Sequence, residues 1–262
     1  MAACAFLAAP AHGQIRQTSP EAQLACQVFD QASGMRPVLA SARAGDAEAF
    51  PKLQQHMDAL RTLMGGNLPP SLDRLAPLVG GMGYSAKILL EKPHVLPTVQ
   101  NGLHDVIRES LVLVSQAQEV AANERKGRQS TARVAAAQQL PILLDSLARN
   151  AGKVAAAEMS QEAVFDFGRN LNDIRTLTSA LTVGNAELKI AAVSNAQQRV
   201  RLQKLTEDFA PIWASAGQAL GNLQAYVTAD IAINHLQKAS SELVAGVLGV
   251  CYAPGIRVEP RG

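Results

Sequence analysis

Aromatic residues are scarce in this chain: they make up 4% of it, and tryptophan occurs once, at Trp213. A core must therefore be built from aliphatic side chains, chiefly Ala, Leu and Val, within an apolar fraction of 48%. Such an Ala-rich mixture with few β-branched and aromatic residues favours an all-α chain. An excess of one charge is also missing. The 24 basic and 22 acidic residues leave a net +2, a balance that does not suggest a nucleic-acid-binding protein, for which a concentrated basic face is expected. The only basic run, Arg125-Lys126-Gly127-Arg128, reads as a solvated helix face or hinge, with an anionic partner as the alternative.

Catalytic signatures are absent as well. There is no Gly-rich phosphate loop, no His-Glu-x-x-His and no Gly-x-Ser-x-Gly. The histidines at 12, 56, 94, 104 and 235 are scattered, and no Cys or His stands at metal-ligand spacing. The chain thus reads as a non-enzyme with no cofactor and no metal. It also lacks the run of ~20 apolar residues that spans a bilayer.

What is present begins with a short apolar segment. Residues 2–11 are small and apolar, end at Ala11-His12-Gly13, and give way to the polar Gln14-Ile15-Arg16-Gln17. This resembles the back half of a secretory signal peptide, so residues 1–13 are expected to be its remnant and the protein to be exported. A frayed apolar terminus and a lipid-attachment box at Cys4 are the alternatives. Removal of the segment leaves Cys26 and Cys251, an even number in an oxidising compartment. One sits in the first expected helix and the other just past the last. The two pair as a disulfide if the bundle ends meet; otherwise they are buried free thiols.

Helical signals recur along the chain. Ser19-Pro20-Glu21 is an N-cap, a first-turn proline and a first-turn acid. Leu24, Val28, Ala32, Met35 and Leu39 follow at helical spacing, with a kink expected at Pro37. Ala44-Gly45-Asp46 ends this helix. Phe50, Leu53, Met57, Leu60 and Met64 form the next apolar stripe, closed by Gly65-Gly66-Asn67. A weak helix is expected from Ser71 to about Leu90, interrupted by Pro77 and Gly80-Gly81-Met82-Gly83, with Lys92-Pro93-His94 and Pro97 marking a connection. Thr98 to Asn150 reads as one long helix, or two meeting near Gly127, crossing between repeats. Further helices are expected from Glu162 to Leu181, from Asn195 to Leu220 with a bend at Pro211, and from Leu223 to Leu248.

The organising feature is an internal repeat. Glu48 to Leu63 aligns without a gap on Glu162 to Leu177, with Glu-Ala at the start and Arg-Thr-Leu at the end identical. The apolar stripe is kept through Ile174, and Gly66-Asn67 then falls on Gly184-Asn185 after a short deletion. Arg36-Pro37-Val38-Leu39 resembles Leu140-Pro141-Ile142-Leu143, which extends the repeat to the kink. Arg61 and Arg175 occupy equivalent places one residue past a stripe position. Each reads either as an interhelical ion-pair partner or as an anion-recognising fork. Arg36 lies beside the Pro37 kink, where freed backbone groups offer a second place for an anion. Trp213 reads as a core anchor or a pocket wall.

The succession Phe167-Gly168-Arg169-Asn170, Leu181-Thr182-Val183-Gly184-Asn185, Val193-x-Asn195 and Ile212-Trp213 is similar to the PilJ-type sensory domain. That is the periplasmic N-terminal domain of type IV pilus methyl-accepting chemotaxis transducers, and related domains occur in nitrate/nitrite sensor kinases. The likeness is good over about Gln138 to Leu248 and weaker over Val28 to Lys92, where no tryptophan follows Gly66-Asn67. It implies an all-α, elongated helical bundle: two PilJ-like modules joined by a long helix. Module 1 is expected over 19–118, module 2 over 119–250, and a flexible tail over 251–262. In the family's nitrate-responsive members an arginine of the first helix is implicated in anion sensing. Arg36 is the nearest match here, with Pro37 and Val38 departing from the pattern and no counterpart in the second copy.

The resemblance implies a bacterial periplasmic ligand-binding protein for a small solute, nitrate- or nitrite-like or another anion. It would signal to a membrane-bound sensor or pilus-chemotaxis component and form a homodimer. The expected ligand-binding residues are Arg36, Arg61, Arg175 and Trp213. The sequence ends twelve residues after Val250 with no spanning segment, so a sensory module acting without its own output domain is expected. The alternative is a non-catalytic interaction or scaffold protein of the cell envelope or type IV pilus system.

Overall fold

A computed structural model describes residues 19–127, 129–156 and 161–252. The signal-peptide segment, Arg128, Ser160 and nearly all of the expected flexible tail lie outside the described residues. The described chain is all-α. Its helices are α1 (Pro20–Arg43), α2 (Ala49–Met64), the single turn α3 (Pro70–Asp73), α4 (Ala76–Glu91), α5 (Val95–Lys126), α6 (Thr131–Ala155), α7 (Gln161–Val183), α8 (Ala196–Gly221) and α9 (Leu223–Cys251).

Local chemistry sets the ends of these helices. Ser19 caps α1 by accepting from the Ala22 N–H at 3.1 Å, and Ser130 and Asn195 cap α6 and α8 in the same way. Gly45 turns the chain after α1 at φ +87, a conformation that costs side-chain-bearing residues more. Asp46 Oδ1 then accepts from the Glu48 N–H at 2.9 Å. Pro97 does not mark a connection, because it lies in the first turn of α5, where amide hydrogens lack helical partners anyway. The region from Thr98 to Asn150 is two helices that fold back on each other at Gly127.

The helices form two four-membered rings. In bundle 1, α1 packs on α2, α2 on α4, α4 on α9 and α9 on α1; in bundle 2, α5, α6, α7 and α8 close in the same order. The boundary expected between residues 118 and 119 therefore falls inside α5 and separates nothing. The bundles divide the chain at 92–94 and again at Asn222, so bundle 1 is made from both ends of the sequence. The rods α4–α5 and α8–α9 each run from one bundle into the other, in opposite directions.

Buried positions show what has been exchanged. Along α4, Leu72 (in α3), Leu75, Val79, Met82, Ala86 and Leu89 repeat the spacing of Leu202, Leu205, Phe209, Ile212, Ala216 and Ala219 on α8. The same register continues onward: Leu96, Val99, Leu103, Val106, Leu113 and Ala117 of α5 match Tyr226, Ala229, Ile233, Leu236, Leu243 and Val247 of α9. Thus α5 and α9 are equivalent helices, and each completes the bundle of the other copy. On α1 and α6 the buried register pairs Ala25, Val28, Ala32 and Met35 with Ala137, Leu140, Leu144 and Leu147. Pro37 and Pro141 fall at different levels in that register, so the proline pair is not part of the repeat. The aligned Gly-Asn turns differ too: Gly184 has φ +88, whereas Gly45 is the only other described glycine with positive φ. Gly184 opens a loop closed by reciprocal bonds between Asn185 and Ile190 at 2.8 and 2.9 Å.

Polar groups hold the junction and the far tips. At the junction, Gln100 Nε2 donates to the Ala155 carbonyl (2.9 Å) and to the Tyr226 hydroxyl (2.7 Å). Burial raises the Tyr226 phenol above its ordinary pKa, and the nearby Asp230 carboxylate adds to this. Arg43 Nε reaches Asp230 at 2.9 Å, joining the end of α1 to the start of α9. At the tip of bundle 2, Arg133 makes a two-pronged pair with Glu124 (2.7 and 2.9 Å) and donates to the Ala191 carbonyl at 2.7 Å. Both side chains are 2% exposed or less. At the tip of bundle 1, Cys26 and Cys251 are joined as a disulfide with Cα atoms 4.8 Å apart.

Two stability measurements test this arrangement. Replacing Cys26 and Cys251 by serine is expected to lower unfolding free energy by roughly 3–5 kcal/mol, because the bond closes almost the whole chain into a loop. A double-serine protein that unfolds at the wild-type denaturant midpoint would refute this. Arg133→Ala should cost about 3–5 kcal/mol by leaving Glu124 buried without its cation, while the paired change Arg133→Met with Glu124→Leu should cost far less. Equal losses in both proteins would show that packing volume, and not the ion pair, holds the tip.

Candidate functional site

The seam between α2 and α4 is where bundle 1 is least closed. Helix α2 has a narrow apolar stripe, and Arg61 follows the fully buried Leu60, so its guanidinium emerges at the stripe edge. The facing surface of α4 carries Gly80 and Gly83 and has little side-chain bulk. A methyl group placed on Gly83 would lie 3.2 Å from Arg61 Nη2, and one on Gly80 would meet nothing within 4 Å. The result is an open groove of about 400 Å³ lined by Arg61, Met64, Ala76, Val79, Gly80, Gly83, Tyr84 and Lys87. This lies within the size range of small-molecule sites, roughly 300–1,000 Å³.

The groove walls are apolar at the base and cationic at the rim. Met64 and Val79 are buried, while Arg61 and Lys87 are exposed. Arg61 Nη1 lies 3.3 Å from Asp58, and Lys87 Nζ lies 3.6 Å from Glu91. Both ion pairs are solvent-exposed, so they hold their partners weakly and leave donor capacity on Arg61 for an anion. Tyr84 is 72% exposed and stands at the mouth as an aromatic face.

The equivalent seam in bundle 2 is built differently. Arg175 follows buried Ile174 on α7 as Arg61 follows Leu60 on α2. Its guanidinium lies 4.4 Å from the centre of the Trp213 ring on α8, and Nη2 donates to Asn172 Oδ1 at 3.2 Å. The Trp213 ring is half-buried and packs on the core. Arg175 and Trp213 thus satisfy each other through a cation–π contact.

Of the four residues expected to bind ligand, the fold brings Arg175 and Trp213 together and sets Arg61 alone in the corresponding place of the other bundle. Arg36 is elsewhere. It is exposed on α1, with Nη2 3.5 Å from Ser241 Oγ on α9. In the ring order, the α1–α9 seam is opposite the α2–α4 groove. The groove residues Gly83, Tyr84 and Lys87 do not announce themselves in the sequence. The one available signal is the missing tryptophan after the first Gly-Asn, together with the glycines of the helix that would have carried it.

Two of the histidines take packing roles, while His94 and His104 are exposed. His56 Nδ1 is 2.9 Å from Gln31 Oε1 and its ring packs against Gly34; partial burial lowers its pKa. His235 Nδ1 is 2.8 Å from Ser85 Oγ. Among the described residues no group of three or more His, Cys, Asp or Glu is placed to hold a metal ion, and no helix is long and apolar enough to cross a membrane.

No protein-family model matches this chain, and no curated protein matches it significantly.

Trp213→Ala should destabilise the protein by roughly 2–3 kcal/mol, near the lower end for a large aromatic because the ring is half-buried. A loss below ~1 kcal/mol in urea denaturation would mean that the Arg175–Trp213 contact does not hold the α7–α8 seam.

Proposed function

We propose that this protein is a non-catalytic sensory or ligand-binding module of the PilJ type that takes a small anionic solute in the α2–α4 groove. The observation carrying this reading is the exposed guanidinium of Arg61 beside an unfilled groove, at the place where the second copy pairs its arginine with Trp213. A guanidinium offers a planar fork of donors suited to a carboxylate or oxyanion, and Lys87 adds a second cation at the rim. The Cys26–Cys251 disulfide suits an oxidising compartment, in keeping with an exported protein that acts on a membrane-bound sensor or pilus-chemotaxis partner.

Transmission would use the crossing rods. A ligand that binds one spacing of α2 and α4 better than another shifts the population toward it. Because α4 is joined to α5 by the three residues 92–94, a displacement of α4 would be passed to bundle 2 through this short connection. A second reading, an envelope interaction protein, draws on Leu111 and Val112 of α5, Ile142 of α6 and Phe165 of α7. These are large apolar side chains more than half exposed.

The test is a thermal-shift series on protein beginning at Gln14, with nitrate, nitrite, other oxyanions and carboxylates. A binder at one hundred times its Kd should raise Tm by roughly 5–10 °C. That rise should vanish in Arg61→Ala and persist in Arg36→Ala. A rise that survives Arg61→Ala would move the site elsewhere. No rise with any anion, together with co-purification of a membrane protein, would favour the interaction reading.

A further inference from the structure

Resting on the anion-binding reading, we infer that the α2–α4 groove is specific for planar aromatic acids, whose ring takes in bundle 1 the place that the Trp213 indole takes in bundle 2. The two copies provide the comparison. Buried positions of the α3–α4 segment and α8 coincide in spacing, from the pair Leu72 and Leu202 to the pair Leu89 and Ala219. In that register Gly83 corresponds to Trp213. Side-chain contacts give the same correspondence independently: Arg61 lies against Gly83 and Arg175 lies against Trp213.

One repeat therefore supplies an aromatic face to its stripe-edge arginine from its own chain, and the other presents the same arginine to an open groove. The Arg61 guanidinium lies against Gly83, 3.2 Å from where a Cβ would stand, so a flat ring would swing this flexible side chain outward and then stack on it as Trp213 does on Arg175, at a site whose apolar base is Met64 and Val79. A carboxylate on that ring would lie toward the rim, where Lys87 supplies the opposite charge. Gly80 leaves open space above the α4 backbone, and Gly83 leaves room for a ring once the Arg61 side chain moves aside; a larger side chain at either position would take that room. Small inorganic anions would meet the charge and leave the apolar base uncovered.

The experiment is titration calorimetry of the full chain with benzoate, indole-3-carboxylate, cyclohexanecarboxylate and nitrate. Cyclohexanecarboxylate keeps the charge and approximate bulk of benzoate and lacks the π face. The aromatic acids should bind roughly two- to fivefold more tightly than cyclohexanecarboxylate and nitrate, the factor expected of one cation–π contact at an exposed arginine. Gly83→Trp should abolish aromatic-acid binding while raising Tm, since the new indole fills the groove. Arg61→Gln should weaken binding without the gain in Tm, which separates loss of the site from loss of the fold. If nitrate or cyclohexanecarboxylate binds as well as benzoate and binding still needs Arg61, the aromatic specificity is overturned and the anion-groove reading stands. If no acid binds, or binding is indifferent to both Arg61→Gln and Gly83→Trp, both are overturned.

Discussion

The open apolar trough left by three antiparallel helices is the constraint on which this architecture depends. In each copy the first three long helices bury one stripe apiece and still expose a seam that only a fourth helix can close. Here the closing helix comes from the other copy: α5 lies between α6 and α8, and α9 lies between α1 and α4. Neither bundle is complete without the chain passing through both. The Cys26–Cys251 bond fastens the last helix to the first at the end farthest from the junction. Gln100, Tyr226, Arg43 and Asp230 satisfy one another at the other end, where four helix termini meet.

That exchange gives the molecule a mechanical character that two consecutive bundles joined by one linker would lack. The paired helices α4–α5 and α8–α9 each contribute to both bundles. The open groove between α2 and α4 lies along one of these segments. Its counterpart is held shut by Arg175 on Trp213. The two copies thus share a scaffold and differ at the stripe-edge arginine, capped by Trp213 in one and beside Gly83 in the other. Fold alone does not decide function; the asymmetry of the two seams is what singles out Arg61.

Much of the fold was legible from spacing. The stripe from Phe50 to Met64 and its repeat from Phe167 to Ile174 are core in the structure, and the cap expected at Ser19 forms. Prolines were less informative. Pro97 reads as a break and sits in a first helical turn, while Pro37 and Pro141 look like a repeated pair and fall out of register. Residue type reports what a position tolerates, and the level of a residue along a bundle depends on partners that are distant in sequence. The candidate site was half legible: Arg61 and Arg175 were equivalent from the alignment, but nothing showed that one would be capped by an indole and the other left open.

The helical class, the twofold repetition and the buried stripes of α1 and α2 were settled by the order of residues, because they follow from periodicity and composition within single segments; along α5 and α6 the stripe was less legible, since Leu111 and Ile142 read as core and are exposed. Three features needed the assembled bundles: that α5 and α9 trade places, that Cys26 meets Cys251, and that Gly83 and not Trp213 faces Arg61. The physical reason is that each of these is set by pairing between helices of similar stripe. Several partners offer nearly the same apolar surface, and only the closed packing of both bundles selects among them.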